Sequence, residues 1–189
     1  MTVFQNIRKG LIPARLTVDE VYALTEAGVL REGEHFELID GEIVPMAAAK
    51  ADWHSIMVAR LNRALVRTLP EDVRLFVEAS ITLSPTLLLE PDLAVWRKDG
   101  LPRSMRGPDI LLLIEVADSS LSYDLRVKAP LYAAHGVREY WVVDAVRRTV
   151  RVHRDPREGV YQDVEEYDED VAIAPLLLDG VMIRLDTLD

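Results

Sequence analysis

The segment Ile110-Leu-Leu-Leu-Ile-Glu-Val116 constrains the chain more than any other, because it is an apolar strand that carries one carboxylate near its end. Burying an unpaired carboxylate costs several kcal/mol, so Glu115 needs a partner, a metal or water. A second carboxylate, Asp92, opens the preceding strand-like segment Pro91-Asp-Leu-Ala-Val-Trp96. Residues 97–109 between them are rich in turn formers, so strands 92–96 and 110–116 most simply pair antiparallel. That pairing sets the start of the first strand beside the end of the second and brings Asp92 close to Glu115.

Two carboxylates at one end of a strand pair repel each other unless a cation sits between them, and such oxygen ligands suit Mg²⁺ or Mn²⁺ with water filling the remaining positions. Arg97, Lys98, Arg103 and Arg106 look like a phosphate-gripping loop. They fall at the opposite end of the pair, roughly 15 Å away at about 3.3 Å per residue, and read as a solvated loop.

Beyond Glu115, Asp124, Lys128 and Tyr132 fall four apart on one face of the next helix, from which a lysine can reach back over the carboxylates. The plainer reading is a surface Asp124–Lys128 pair worth tenths of a kcal/mol. Pro130 complicates that helix, which should start late or kink there.

The remaining chain supports a mixed α/β sheet flanked by helices. Thr17 with Glu20 forms a capping box for a short helix ending near Gly28, and Asp40-Gly41 marks a hairpin. Residues 52–69 carry apolar positions at helical spacing, with Arg60, Arg63 and Arg67 exposed and Pro70 as the stop. Strands are expected at 74–78, 81–83, 92–96, 110–116, 139–144, 149–153, 161–167 and 181–185, and a helix at about 124–135 closed by Gly136. The apolar stretch 174–183 should complete the core or form a subunit contact.

At 189 residues and 49% hydrophobic, the chain is long enough for one domain, 1–189, with residues 1–15 an N-terminal extension. The absence of cysteine excludes disulfides, thiolate metal sites and cysteine nucleophiles. With no signal-like or membrane-spanning run, the reading is a soluble, cytoplasmic protein with no membrane partner. A net charge of −10 argues against a broad basic nucleic-acid surface but leaves room for a local basic groove. Much of the negative charge lies in 163–170, read as a solvated hairpin or loop.

Taken in order, Phe36-Glu-Leu-Ile-Asp-Gly-Glu42, His54, Pro91-Asp-Leu-Ala-Val95, Ile114-Glu-Val-Ala-Asp-Ser-Ser120, Tyr123-Asp-Leu-Arg-Val-Lys128, Leu131-Tyr-Ala-Ala-His-Gly-Val137 and Glu139-Tyr-Trp-Val-Val-Asp144 resemble the Uma-two family, described as putative restriction endonucleases, within the PD-(D/E)XK nuclease superfamily. The likeness runs from about Leu16 to the C-terminus. It implies a restriction-endonuclease-like α/β fold and a Mg²⁺- or Mn²⁺-dependent endonuclease acting on nucleic acid, DNA first, with a homodimer as its implied assembly.

On that resemblance Asp92 is the aspartate of the PD motif and Glu115 its acidic partner, both holding metal, with the main-chain carbonyl of Val116 an extra ligand. Ala117 stands where the usual lysine would be, and the family pattern supplies Lys128 from the following helix instead. Glu37 and His54 match family positions near the site, against plainer readings as an exposed strand residue and a helix cap; His35, His135 and His153 read as structural. The displaced lysine and acidic balance keep a second class open, a catalytically weak or inactive nucleic-acid-binding or assembly module. A hydrolase of small phosphorylated molecules is a third.

Overall fold

A computed structural model describes residues 3–13, 15–30, 35–46, 51–97, 99 and 105–188. The chain forms two compact units, Met1–Ala49 with Ser80–Glu90, and Lys50–Ala79 with Pro91–Asp189. Among the described residues no helix is long and apolar enough to cross a membrane.

The first unit contains helices α1 (Val3–Arg8) and α2 (Val18–Glu26) and a four-stranded sheet. Its strands are β1 (Phe36–Ile39), β2 (Glu42–Pro45), β4 (Ile81–Ser84) and β5 (Leu87–Leu89), in the order β2-β1-β5-β4. The capping box forms as expected: Thr17 Oγ1 accepts the Glu20 N–H at 3.2 Å, and the Glu20 carboxylate accepts the Thr17 N–H at 2.7 Å. The β1–β2 turn holds Asp40 at φ 51° and Gly41 at φ 77°, the left-handed pair of a type I′ hairpin. Strand β5 carries no alternation, because all three of its leucines are buried, and its period is therefore silent in the sequence. Ile12, Leu16, Val18, Val21, Leu30, Leu38 and Leu88 make this unit's core.

The second unit is built on a six-stranded sheet in the order β10-β9-β8-β7-β6-β3. The strands are β3 (Val73–Val77), β6 (Leu93–Arg97), β7 (Ile110–Ala117), β8 (Glu139–Asp144), β9 (Thr149–Arg157) and β10 (Val160–Tyr167). Strands β6 and β7 pair antiparallel with Leu93 opposite Ile114, as expected, whereas β7 and β8 run parallel with Leu113 opposite Tyr140. All eight residues of β7 are buried, so both faces of the central strand are covered. Helix α3 (Asp52–Thr68) lays Met57, Val58, Leu61 and Leu65 into a core shared with Leu112, Ile114, Val116, Trp141 and Val143.

The helix after β7 differs from expectation. It starts early, not late: a short turn α4 (Leu121–Tyr123), a π-turn at Asp124–Lys128, and then α5 (Ala129–Ala134). The Ala129 N–H donates to the Asp124 carbonyl, the five-residue return of a π-turn. Pro130 lacks an N–H and its ring would crowd the Arg126 carbonyl in an unbroken α-helix; the wider turn absorbs it. Gly136, at φ 77°, closes α5 as expected.

Residues 181–185 form no strand, only a single bridge from Ile173 to Ile183. Their apolar side chains still complete the core through Ile173, Leu178, Val181, Ile183 and Leu185. A buried carboxylate fastens this segment to the sheet. Glu139 Oε1 accepts from Arg154 at 2.7 Å and from the Trp141 indole at 2.9 Å, and Oε2 accepts the Leu176 N–H at 2.5 Å. The acidic run lies mostly on exposed positions of β10, paired with β9 in a hairpin. Arg97 pairs with Asp72 at 2.5 Å and the Arg106 N–H donates to Asp109, while Lys98 and Arg103 lie outside the described residues.

Tyr140, His153 and Tyr161 cluster on the sheet, with the His153 ring 5.4 Å from Tyr140 and 5.5 Å from Tyr161. Burial pulls the His153 imidazole below its ordinary value of 6.5. The unfolded chain therefore binds the extra proton first, and folding loses stability as pH falls below 6.5 toward the depressed folded value. Urea midpoints measured from about pH 7.5 down to about pH 5 should fall for the native chain, and fall less steeply for His153→Gln.

Candidate active site

Strand order brings four of the residues expected from sequence together in the second unit. The β6–β7 register, continued one step beyond Leu93 opposite Ile114, sets Asp92 level with Glu115. Asp92 is 6% exposed and Glu115 3%, so both carboxylates need partners, and both have them.

Asp92 Oδ2 accepts the main-chain N–H of Val116 at 2.8 Å, and Oδ1 lies 3.0 Å from His54 Nε2. His54 stands in the first turn of α3 and reaches across to the sheet rather than capping its own helix. Its Nδ1 is buried with no hydrogen-bond partner among the described residues. Glu115 Oε1 accepts from Lys128 Nζ and from the Tyr132 hydroxyl, each at 2.9 Å. The repulsion expected between the two carboxylates is thus relieved by the protein's own cation and donors, and does not by itself call for an ion.

Lys128 and Asp124 are not a surface pair. Lys128 is 4% exposed and Asp124 2%, with Nζ 3.9 Å from Asp124 Oδ1. Asp124 Oδ2 accepts from Ser120 Oγ at 2.6 Å, and Lys128 Nζ lies 5.9 Å from the centre of the Tyr123 ring. The Tyr140 hydroxyl donates to the Asp124 carbonyl at 3.3 Å; burial, reinforced by the Glu115 and Asp124 carboxylates, pushes that hydroxyl well above its ordinary value. Tyr132, fully buried, packs on Tyr140 with ring centres 4.8 Å apart. Helical spacing singles out Tyr132, but that it shares one oxygen with Lys128 follows only from the folded π-turn.

The chemistry this arrangement can perform is local: two buried carboxylates at one sheet end, a buried ammonium on one of them and an imidazole on the other. Among the described residues no group of three or more His, Cys, Asp or Glu side chains is arranged as a metal cage. Glu37 belongs to the first unit, on β1 opposite Val44, and is buried rather than an exposed strand residue. His35 lies 3.4 Å from Glu90, and His135 Nδ1 meets the Leu131 carbonyl at 2.8 Å.

A family model described as "Uma2: Putative restriction endonuclease" matches residues 18–186. The chain belongs to the Uma2 family. It is also similar in structure to a protein described as a putative nuclease belonging to DUF820 from Anabaena variabilis ATCC 29413. That likeness has a TM-score of 0.66 at 21% identity, covering 90% of this chain and 96% of the other, and shows a shared fold. No curated protein matches the chain. Uma2 membership accounts for the ordered motifs, and the α/β architecture of mixed sheets flanked by helices agrees with it.

Breaking the Glu115–Lys128 pair from one side leaves a charge buried without its counterion. Lys128→Met should cost about 3–5 kcal/mol in urea denaturation, and adding Glu115→Gln should recover most of it. Tyr132→Phe should cost about 1.5–3 kcal/mol, since it removes one donor to a charged oxygen.

Proposed function

We propose that the second unit is a metal-dependent phosphodiester hydrolase acting on DNA, with Asp92, Glu115, Lys128 and His54 as its working groups. One observation carries this reading: Lys128, eleven residues past the usual lysine position and on a different element, still brings Nζ within 2.9 Å of Glu115. A lysine delivered by a different element to the same carboxylate supports a functional requirement for that charge at that point.

The donor set fits a hard divalent ion. Mg²⁺ is held by one or two carboxylates with waters and substrate oxygens, and Asp92 and Glu115 provide that number, with the Val116 carbonyl as a third oxygen. When bound, such an ion polarises the phosphoryl oxygen and acidifies a coordinated water. Lys128 then stabilises the negative charge that develops on the phosphoryl oxygens, while Tyr132 keeps Glu115 from swinging toward the ammonium alone. His54 holds the Asp92 carboxylate through Nε2 and is placed to shuttle a proton or contact a phosphate. Cleavage of both strands of a duplex would be completed by a homodimer. Glu37 stands outside this proposal.

Labelled DNA incubated with the full chain and Mg²⁺ or Mn²⁺ should be cut, and EDTA should stop it. Asp92→Ala should abolish cleavage, and Lys128→Ala should lower kcat by about 10²–10³-fold. Variants cutting at the parental rate would overturn the assignment.

A second reading has its own observation. Because each carboxylate is already satisfied within the protein, the same site can serve as a buried structural lock in a nucleic-acid-binding or assembly module. Titration calorimetry separates the two: Mg²⁺ or Mn²⁺ binding that disappears in Glu115→Gln supports the hydrolase, and its absence in the parent supports the module.

A further inference from the structure

Helix α3 presents Trp53, Ile56, Arg60, Arg63 and Arg67 at steps of three and four residues. At 100° per residue they fall within a stripe about 80° wide, and at 1.5 Å per residue it runs about 21 Å. The stripe is beside the face that enters the core: Trp53 is 63% exposed and Ile56 42%, Arg63 and Arg67 are exposed, and Arg60 is half-buried. An exposed indole beside Ile56 offers a flat apolar platform.

The charge on this stripe is concentrated. Many arginines elsewhere are neutralised, among them Arg15 by Glu42, Arg97 by Asp72, Arg148 by Glu169, Arg151 by Glu166, Arg154 by Glu139 and Arg184 by Asp186. Arg8, Arg74, Arg126 and Arg138 stand without an ion pair among the described residues, but singly. Among the described residues Arg60, Arg63 and Arg67 make no salt bridge, and the helix holds a single carboxylate, Asp52, in its first turn. On a chain of net charge −10, three unneutralised guanidinium groups in a row are a local basic track.

At its N-terminal end the track opens on a recess of about 290 Å³, walled by Trp53, Ile56 and Arg60 from α3 and by Val146 and Arg148 from the β8–β9 turn. This is the sheet end that carries the candidate site. Ala117 stands opposite Asp144, the Ala145 N–H donates to the Ala117 carbonyl at 2.9 Å, and His54, next to Trp53, touches Asp92.

We propose that this face of α3 binds an unpaired strand of DNA, with one base against Trp53 in the recess and successive phosphates along Arg60, Arg63 and Arg67 toward the far end of the helix. An aromatic platform at the head of a row of cations is the combination that holds single-stranded nucleic acid, because every base offers a π-face and every link a phosphate. A duplex buries its base faces and has no use for the recess. The choice of DNA rests on the proposed hydrolysis; the strand-binding surface itself does not.

Binding is measured on the full chain in EDTA, so no cleavage is required. A labelled oligodeoxynucleotide is titrated by fluorescence anisotropy at salt from about 50 to 200 mM. The log–log salt slope should shrink by about 2 in the Arg60→Ala/Arg63→Ala/Arg67→Ala protein, at about 0.7 per phosphate contact. Alanine is at least as good a helix former as arginine, so the variant keeps its fold, checked by circular dichroism. Trp53→Ala should weaken binding by about 5- to 150-fold, the range of one stacked base.

Trp96 and Trp141 are fully buried, so quenching of tryptophan emission by the oligonucleotide reports Trp53. An unchanged slope in the triple variant, unquenched emission, or tighter binding of duplex or of RNA than of the single strand overturns the proposal. Its fate is separable from that of the hydrolase reading. Arginine-dependent binding without Asp92-dependent cleavage retains the surface and removes the chemistry, and the reverse result removes the surface alone.

Discussion

The buried carboxylate of Glu115 is the constraint around which the second unit is arranged. An ionised group on a strand whose eight residues are all buried is tolerable only if a cation and a hydrogen-bond donor reach it from another element. Lys128 and Tyr132 both do so, from consecutive turns of the segment that follows β7. That segment must therefore return over the sheet end and keep both side chains on one face. The π-turn at Asp124–Lys128, just ahead of Pro130, satisfies the backbone and the carboxylate together.

Sheet topology then determines what else meets at this end. Antiparallel β6 sets Asp92 level with Glu115, and parallel β8 ends at the same edge, so its turn into β9 lies beside the site. A parallel pair requires a crossover, and here the crossover is the segment that delivers Lys128 and Tyr132. One connection provides both the strand pairing and the charge compensation. Helix α3 enters from the other direction through His54, whose contact with Asp92 ties the helix to the same strand end.

Much of this was legible in the residues. Residue types with one meaning carry their outcome in the sequence: Asp40-Gly41 as a turn, Thr17 with Glu20 as a cap, the long apolar period of α3, and the antiparallel pairing that joins Asp92 to Glu115. What escaped depends on tertiary context. β5 is buried on both faces and so has no period, and Val181–Leu185 has strand composition but spends its backbone on turns and one bridge while Glu139 and Arg154 pin the segment before it. Spacing offers Asp124 and Lys128 equally as a surface pair or a site pair, and only burial distinguishes them. The double engagement of Glu115 was invisible because a π-turn has no period of its own to read.

The distribution of charge follows from the same logic of compensation. With 32 acidic against 22 basic residues, the chain has carboxylates to spare, and many of its described arginines are paired with one. Paired guanidinium groups contribute little potential beyond a Debye length, so the field of the surface is set by those left over. Among the described residues three of these stand in line on α3, and the helix leads to the strand end where Asp92 and Glu115 lie. An excess of acid therefore does not argue against a polyanionic ligand; it sharpens where one can be held, because an in-line row of unpaired guanidinium groups stands out against an acidic surface.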